Sequence, residues 1–209
     1  MRGLLVTATD TGVGKTWVAA ALCEALRARG ERVVAFKPVV TGTDDPGPTD
    51  HERLAAATGA DPASITPHVY APPVSPHLAA ALAGEELSLE RMVAGARAAG
   101  ADGRTVVVEG VGGLLVPLTP DATVRDLAEA LALPLVVVAR PGLGTINHTL
   151  LTLEAARMAG LEVRGVVLTP YEDDLVAASN RSTIERLGGV PVSTLAPGST
   201  DVPVDAWMP

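Results

Sequence analysis

Cysteine is almost absent from this chain. The single one, Cys23, excludes an intramolecular disulfide and fits a reducing compartment. No C-x-x-C and no H-x-x-x-H spacing occurs, so a zinc site is not expected. Cys23 falls within a helical pattern and reads as a small core residue, not as a ligand or nucleophile. Aromatic residues are scarce too, at 2% of the chain. No apolar run reaches about 18 residues, so no membrane span is expected. The N-terminus enters a polar glycine loop almost at once, unlike a secretory signal. The cytoplasm is the expected location. Positive charge is in deficit: 16 Lys and Arg against 24 Asp and Glu leave a formal charge of −8. That argues against a nucleic-acid or anionic-membrane partner. It does not argue against a nucleotide, because two local lysines can outweigh a distant acidic surface.

What remains is a chain of 209 residues, 47% hydrophobic, long enough for a real core. Strand-like and helix-like runs alternate, which predicts an α/β fold in one domain over residues 1–209. The expected architecture has three layers, a mostly parallel sheet flanked by helices, and is P-loop NTPase-like. The stretch Thr7-Ala8-Thr9-Asp10-Thr11-Gly12-Val13-Gly14-Lys15-Thr16 organises it. It follows the apolar run Leu4-Leu5-Val6, read as a strand, and precedes a helix over Trp17 to Arg29 that Gly30 stops. Strand, glycine turn, Gly-Lys-Thr and helix form a phosphate-binding loop. Glycines let backbone N–H groups converge on phosphate oxygens, and the helix N-terminus adds unpaired donors. Lys15 supplies a charge for the β- and γ-phosphates, and the Thr16 hydroxyl can ligate magnesium. The first glycine of G-x-x-x-x-G-K-T is replaced by Thr9. The competing reading is a chance Gly-Lys-Thr in a turn.

Further along, Val33 to Phe36 reads as a strand that Lys37-Pro38 ends. A polar loop follows from Thr41 to Asp50, then a helix over Asp50 to Thr58 with Asp50 as a plausible N-cap. Asp61 to Pro76 reads as irregular, and an alanine-rich stretch spans Leu78 to Ala83. Leu87 to Ala99 and Val124 to Ala132 read as helices. Thr105 to Val108 is a buried central strand ending in Glu109-Gly110-Val111-Gly112-Gly113. Leu135 to Ala139 is another strand, and the glycine turn Pro141 to Thr145 opens a helix through Leu150 to Met158. Val163 to Leu168 and Val190 to Leu195 complete the strands, with a helix over Asp173 to Leu187. The tail Pro197 to Pro209 reads as surface-docked or mobile.

Lys15 with Thr16, Lys37 with Thr41, and Glu109 all lie at strand ends or nearby loops. In a parallel sheet those ends share one edge, where ligands bind. A strand-end carboxylate there is costly without a partner. Lysines and a carboxylate around a phosphate loop point to phosphoryl transfer with magnesium. The alternatives are a solvated strand-end lysine for Lys37 and a capping role for Asp50.

Five stretches together resemble the dethiobiotin synthetase family of biotin biosynthesis. They are T-x-T-D-T-G-V-G-K-T, F-K-P-V-V-T-G, S-P-H-L-A-A, V-V-V-E-G-V-G-G-L-L-V-P-L and L-G-T-I-N-H-T-L-L-T, in order from Thr7 to Thr152. Past Gly165 the matches thin. Ala8 stands where the family usually has Gly, and Thr169 where it usually has Asn; the second bears on base recognition rather than chemistry. The resemblance implies that 7,8-diaminononanoate, CO2 and ATP are joined with Mg2+ into dethiobiotin. The route passes through a carbamate and a carbamic-phosphoric anhydride, releasing ADP and phosphate. It implies that Lys15, Lys37 and Thr11 are catalytic, with Thr11 and Lys37 beside the carbamate. Gly12, Val13, Gly14, Lys15, Thr16 and Trp17 would cradle phosphates. Thr16, Asp50 and Glu109 would ligate magnesium, with Gly110, Val111 and Gly112 beside the nucleotide. Thr41 would contact substrate. Leu143, Gly144, Thr145 and Asn147 would hold the substrate carboxylate on free N–H groups. Thr169 and Pro170 would meet the base, with Ala196, Pro197 and Gly198 as further candidates to read it. Thr169 lacks the two-point contact of an amide, so CTP or GTP is expected to serve beside ATP. Family members are homodimers, so a homodimer is expected. His148 reads as interface packing rather than as a base.

Three rivals stand beside this reading. A partitioning-type regulatory ATPase would carry a second lysine where this chain has Asp10. A cobyrinate-type amide ligase would need a glutamine-hydrolysing domain with a nucleophilic cysteine. A non-catalytic nucleotide binder would show no turnover dependent on the diamine.

Overall fold

The computed structural model describes residues 1–44 and 47–208. Asp45 and Pro46 of the polar loop and Pro209 of the tail lie outside the described residues. The strands are β1 (Gly3–Ala8), β2 (Val33–Phe36), β3 (Val40–Thr41), β4 (Val69–Tyr70), β5 (Thr105–Gly113), β6 (Leu135–Ala139), β7 (Val163–Leu168) and β8 (Val192–Thr194). The helices are α1 (Lys15–Ala28), α2 (Asp50–Thr58), α3 (Pro62–Ile65), α4 (Pro76–Ala83), α5 (Leu89–Ala99), α6 (Val124–Leu131), α7 (Thr145–Met158), α8 (Leu175–Gly188) and α9 (Val204–Trp207). Six strands form a sheet in the order β2-β5-β1-β6-β7-β8, and β3 pairs with β4 apart from it. Every strand pair is parallel.

The β-branched runs explain the sheet. Branched side chains suit a pleated surface, and strands covered on both faces carry continuous apolar runs. β1 and β6 are buried at every residue. Successive side chains alternate between faces. Leu4, Val6 and Val107 pack with Leu22 and Leu26 of α1, Leu54 of α2 and Trp207 of α9. Leu5, Val106 and Val108 pack with Met92 of α5 and Leu127 of α6. Helices thus cover both sheet faces, which gives the three layers. No helix is long and apolar enough to cross a membrane among the described residues.

Several expected boundaries move, each for a local reason. α1 begins at Lys15 rather than Trp17, because Gly14, left-handed at φ 91°, is its N-cap. α2 starts as expected at Asp50, but Thr49 and not Asp50 is the N-cap. The Thr49 N–H and hydroxyl both donate to Glu52, at 2.7 and 2.8 Å, as in a capping box. α8 begins at Leu175, since Asp174 accepts from the Ala177 N–H at 2.8 Å. Asp61 to Pro76 is not irregular throughout: it holds α3, capped by Asp61, and β4. The tail is docked by α9, whose Trp207 is 1% exposed.

The largest correction is β5. The strand read from Thr105 to Val108 does not end there: β5 continues through Gly113. Val6 pairs with Glu109 and Ala8 with Gly113, so two steps on β1 face four on β5. A bulge takes up the excess, and Gly112 adopts φ 58°, where a side chain is strained. The bulge lies at the edge where the phosphate loop leaves β1.

Candidate active site

The phosphate loop is fixed from below and open above. The Thr9 N–H donates to the Val138 carbonyl at 2.9 Å. Val13, 3% exposed, wedges into the core. A Cβ on Gly12 would meet nothing within 4 Å, so its φ of 73° and not crowding calls for glycine there. Gly14 is also crowded: a Cβ there would lie 2.8 Å from the Thr169 methyl. α1 carries no side-chain cap and no acid in its first turn. Its first N–H groups and its dipole are therefore uncompensated, a setting for an anion.

Beside the loop, β2, β5 and β1 are neighbours, so their ends converge as expected. Lys37 follows β2 and its backbone N–H donates to the Ile65 carbonyl of α3 at 2.9 Å. Its ammonium, 2% exposed, lies 2.6 Å from Glu109 Oε1 and 2.8 Å from Asp50 Oδ2. Lys15 Nζ lies 3.7 Å from Glu109 Oε1. The Thr16 hydroxyl lies 2.8 Å from Asp50 Oδ1 and 2.9 Å from Glu109 Oε1. One hydroxyl proton can serve only one of those oxygens at a time.

Burial and charge act against each other here. Burial pulls Lys37 down, but Glu109 and Asp50 outweigh it and hold its pKa above the usual lysine value. Burial and the nearby Lys37 charge lower Lys15, against the pull of Glu109 and Asp50. Burial would raise Asp50, yet the charge and hydrogen bond of Lys37, with Thr16 and Lys15, bring it to about 2. Asp50 is thus held as a carboxylate.

The donor set fits magnesium. A hydroxyl and two carboxylates are hard oxygen donors, and magnesium uses one or two carboxylates plus phosphates and water. Among the described residues no cluster of three His, Cys, Asp or Glu could cage a metal alone. Glu109 Oε2 is buried with no hydrogen-bond partner. A cation at that oxygen would satisfy it.

A cleft of 710 Å³ gathers Thr11, Gly12, Gly14, Lys15, Thr16, Trp17, Lys37, Thr41, Asp50, Val111 and Gly112. Val13, Glu109 and Gly110 are buried behind it. The sequence reading missed its far wall, Pro73 to Pro76, and Val116. The wall is brought in by the β3–β4 pairing and by the Gly42 N–H, which donates to the Pro72 carbonyl at 3.1 Å. The S-P-H motif was the signal for it, without a contact to attach.

The other candidates lie outside this cleft. Thr169, 4% exposed, and Pro170 follow β7, and Ala196, Pro197 and Gly198 follow β8. Leu143, 96% exposed, Gly144, Thr145 and Asn147 open α7. The Thr145 side chain is buried and its N–H donates to the Gly142 carbonyl at 3.2 Å. A second cavity of 500 Å³ joins the α7 residues His148 and Leu151 to Thr9, Asp10 and Thr11. It shares Thr11 and Val116 with the cleft. Asp10 meets Arg140 at 3.1 Å, a partner the sequence did not indicate.

With this geometry in view, comparison with known proteins is informative. A family model described as an AAA domain matches residues 2–200. A protein of Anaeromyxobacter dehalogenans (strain 2CP-C), named ATP-dependent dethiobiotin synthetase, is 50% identical over 206 residues. The match covers 97% of this chain and 92% of that one. A protein of the same name from Bacillus thuringiensis (strain Al Hakam) is 41% identical over 202 residues, covering 94% and 84%. Among solved structures, a ParA family ATPase from Chlorobium tepidum TLS has a TM-score of 0.58 at 13% identity, over 93% of this chain and 84% of that one. Chloroplast FtsY from Physcomitrella patens has a TM-score of 0.54 at 18% identity, over 100% of this chain and 62% of that one. At such identities these two share the fold alone.

Thr49 and Glu52 cap α2 without Asp50, which separates the two roles weighed for Asp50. Asp50→Asn should raise the magnesium needed for half-maximal ATP turnover about tenfold or more, the scale of a lost contact to a charged group. The melting temperature should move little. A large fall in melting temperature with unchanged magnesium dependence would assign Asp50 to structure.

Proposed function

Because the chain belongs to the family of ATP-dependent dethiobiotin synthetases, we propose that it closes the ureido ring of dethiobiotin from 7,8-diaminononanoate, CO2 and ATP. The observation that carries this reading is the charged group at the phosphate loop: buried Lys15, Lys37 and Glu109 with the partly exposed Asp50. It is set in a cleft of 710 Å³, room for a triphosphate and a short acyclic substrate. The reading treats residues 1–209 as one catalytic domain. A cytoplasmic location fits its one free, buried cysteine.

The chemistry proceeds in three steps. One substrate amine attacks CO2, forms the N–C bond and loses a proton to solvent. The carbamate oxygen then attacks the γ-phosphorus, and the bond to the ADP oxygen breaks. The second amine attacks the carbonyl carbon, the bond to phosphate breaks, a proton leaves and the ring closes. Phosphorylation is needed because a carbamate oxygen is a poor leaving group and phosphate a good one. Lys37 and Thr11 border the cleft and are assigned to the carbamate; Lys15 and the N-terminus of α1 are assigned to the phosphates. Thr16, Asp50 and Glu109 would hold magnesium, which when bound supplies positive charge to the phosphate oxygens. Thr41, on the same cleft, is assigned to substrate.

The test of the activity is a mixture of bicarbonate, ATP and the diamine, with dethiobiotin detected by mass. Lys37→Ala should leave the protein folded and lower kcat by roughly 100-fold or more, the scale of a lost preorganised charge contact. Near-normal turnover of the folded variant would remove Lys37 from the reaction.

The opening of α7 is assigned to the substrate carboxylate, and the working form to a homodimer. Exposed Leu115 (54%) and Leu151 (56%) supply apolar surface around the second cavity, which adjoins Thr11. Sedimentation at micromolar concentration should give twice the mass of 21.3 kDa. A single-chain mass with full activity would overturn the dimer.

Base selection is read as loose. Thr169 offers one hydroxyl where an amide would offer a donor and an acceptor, and its methyl backs onto Gly14. A lost two-point contact removes about 1–3 kcal/mol of discrimination. CTP or GTP should support ring closure at rates comparable with ATP, and Thr169→Asn should restore preference for ATP. A wild-type preference for ATP above about 100-fold over every other base, ~2.7 kcal/mol, would sink this reading.

A further inference from the structure

Trp17 is the third residue of α1, in the same turn as Lys15 and Thr16. Successive helix residues point about 100° apart. The side chains therefore diverge: Lys15 and Thr16 reach toward Glu109, Thr16 also toward Asp50, and Trp17 reaches toward the tail. Trp17 is 38% exposed, and its Nε1–H donates to the Ser199 carbonyl at 2.8 Å. The two residues are 182 positions apart in the chain.

Ser199 closes a turn that has little other support. Its N–H donates to the Ala196 carbonyl at 3.0 Å, and its Oγ accepts from the Asp201 N–H at 3.2 Å. Ala196, Pro197 and Gly198 are exposed. A Cβ on Gly198 would meet nothing within 4 Å. The ends of the turn are anchored by buried Leu195 and Val202, and beyond it Arg29 pairs with Asp205. The Tyr171 N–H donates to the Leu195 carbonyl at 2.9 Å, which ties this point to the end of β7. Between those anchors, the indole joins the turn to α1, the helix that follows the phosphate loop.

We propose that Trp17 is a positioning residue for the nucleoside: its indole brace holds the Ala196–Ser199 turn at a fixed distance from the phosphate loop. The nucleoside then meets a preformed wall. This rests on the reading that Ala196, Pro197 and Gly198 face the nucleotide base. Tryptophan suits the task because its ring is long, has two side-chain torsions and carries a donor with no competing acceptor. Without the brace, the turn must be ordered when nucleotide binds, and that ordering weakens affinity. The phosphates are gripped by other groups and do not depend on it.

The test uses the full-length protein, with magnesium ATP and magnesium tripolyphosphate as the two probes. Trp17→Phe keeps a ring and removes the donor. It should raise the Kd and KM for ATP about three- to tenfold, the scale of one hydrogen bond. It should leave tripolyphosphate affinity unchanged, because the backbone N–H of residue 17, the group the phosphate loop can offer, is retained. Gly198→Val tests the underlying reading separately, because a branched side chain is strained at its φ of 76°. It should weaken ATP and spare tripolyphosphate. If Gly198→Val weakens ATP while Trp17→Phe does not, the brace is overturned and the turn keeps its role. If neither variant changes ATP affinity, the turn does not face the nucleotide and both readings fall. An equal loss of ATP and tripolyphosphate in Trp17→Phe also overturns the brace, since the indole then acts on the phosphate loop.

Discussion

The Lys37 ammonium and the Glu109 carboxylate meet at 2.6 Å, both shut off from solvent. A carboxylate on a central strand, with no water, must have a cation beside it or it will not stay charged. The end of β2 delivers one at that depth, and the first residue of α1, Lys15, brings a second to 3.7 Å. β2 lies against β5, Phe36 opposite Val108, so the next residue of each strand is Lys37 and Glu109. β1 lies on the other side of β5 and releases the phosphate loop at the same edge. The strand order thus satisfies the buried charge and assembles the site in one stroke. A different order would cost Glu109 the Lys37 contact at 2.6 Å, the shortest of its ion pairs.

The regular elements were legible where one local signal decided them. Val33 to Phe36, Leu135 to Ala139 and Val163 to Leu168 read as strands from β-branched runs alone, and their bounds match. The elements that shifted did so where tertiary contact outweighed local preference. Glu109 to Gly113 has the composition of a turn, but pairing with β1 across a bulge extends it as strand. β4 is two residues long, and its partner lies far off in sequence, so no periodicity could announce it. Trp207 is one aromatic in a proline-rich tail; nothing nearby in sequence says that it fills the core against α1.

The site was legible in its residue types and not in its couplings. Gly-Lys-Thr marked Lys15 and Thr16, and strand ends marked Lys37 and Glu109. Asp50 stood at a helix start, where capping explained it equally well. Distance settled its company: its carboxylate meets both Lys37 and Thr16. Thr49, one residue earlier, takes the cap and leaves Asp50 free for that contact. The S-P-H motif marked the wall from Pro73 to Pro76 without placing it, and nothing marked the Asp10–Arg140 pair, because both depend on how distant segments return to the sheet edge.

The charge in the site explains how a chain of formal charge −8 can present a phosphate loop. By formal charge, Lys15 and Lys37 contribute two positive charges and Asp50 and Glu109 two negative ones. The group is neutral as a unit, so it is not a general sink for anions. It becomes one only when its charges are divided between two partners. A cation taking up the carboxylate oxygens, among them the unpartnered Glu109 Oε2, would release the lysines from their present pairing. The released ammonium groups would then face phosphate or carbamate oxygens, together with the free N–H groups of α1. Distant acidic residues matter little to this exchange, since solvent screens them over about 10 Å. Pairing offsets the cost of burying Lys15, Lys37 and Glu109, and separation into cation ligands and anion ligands would let the group bind a metal–polyphosphate pair.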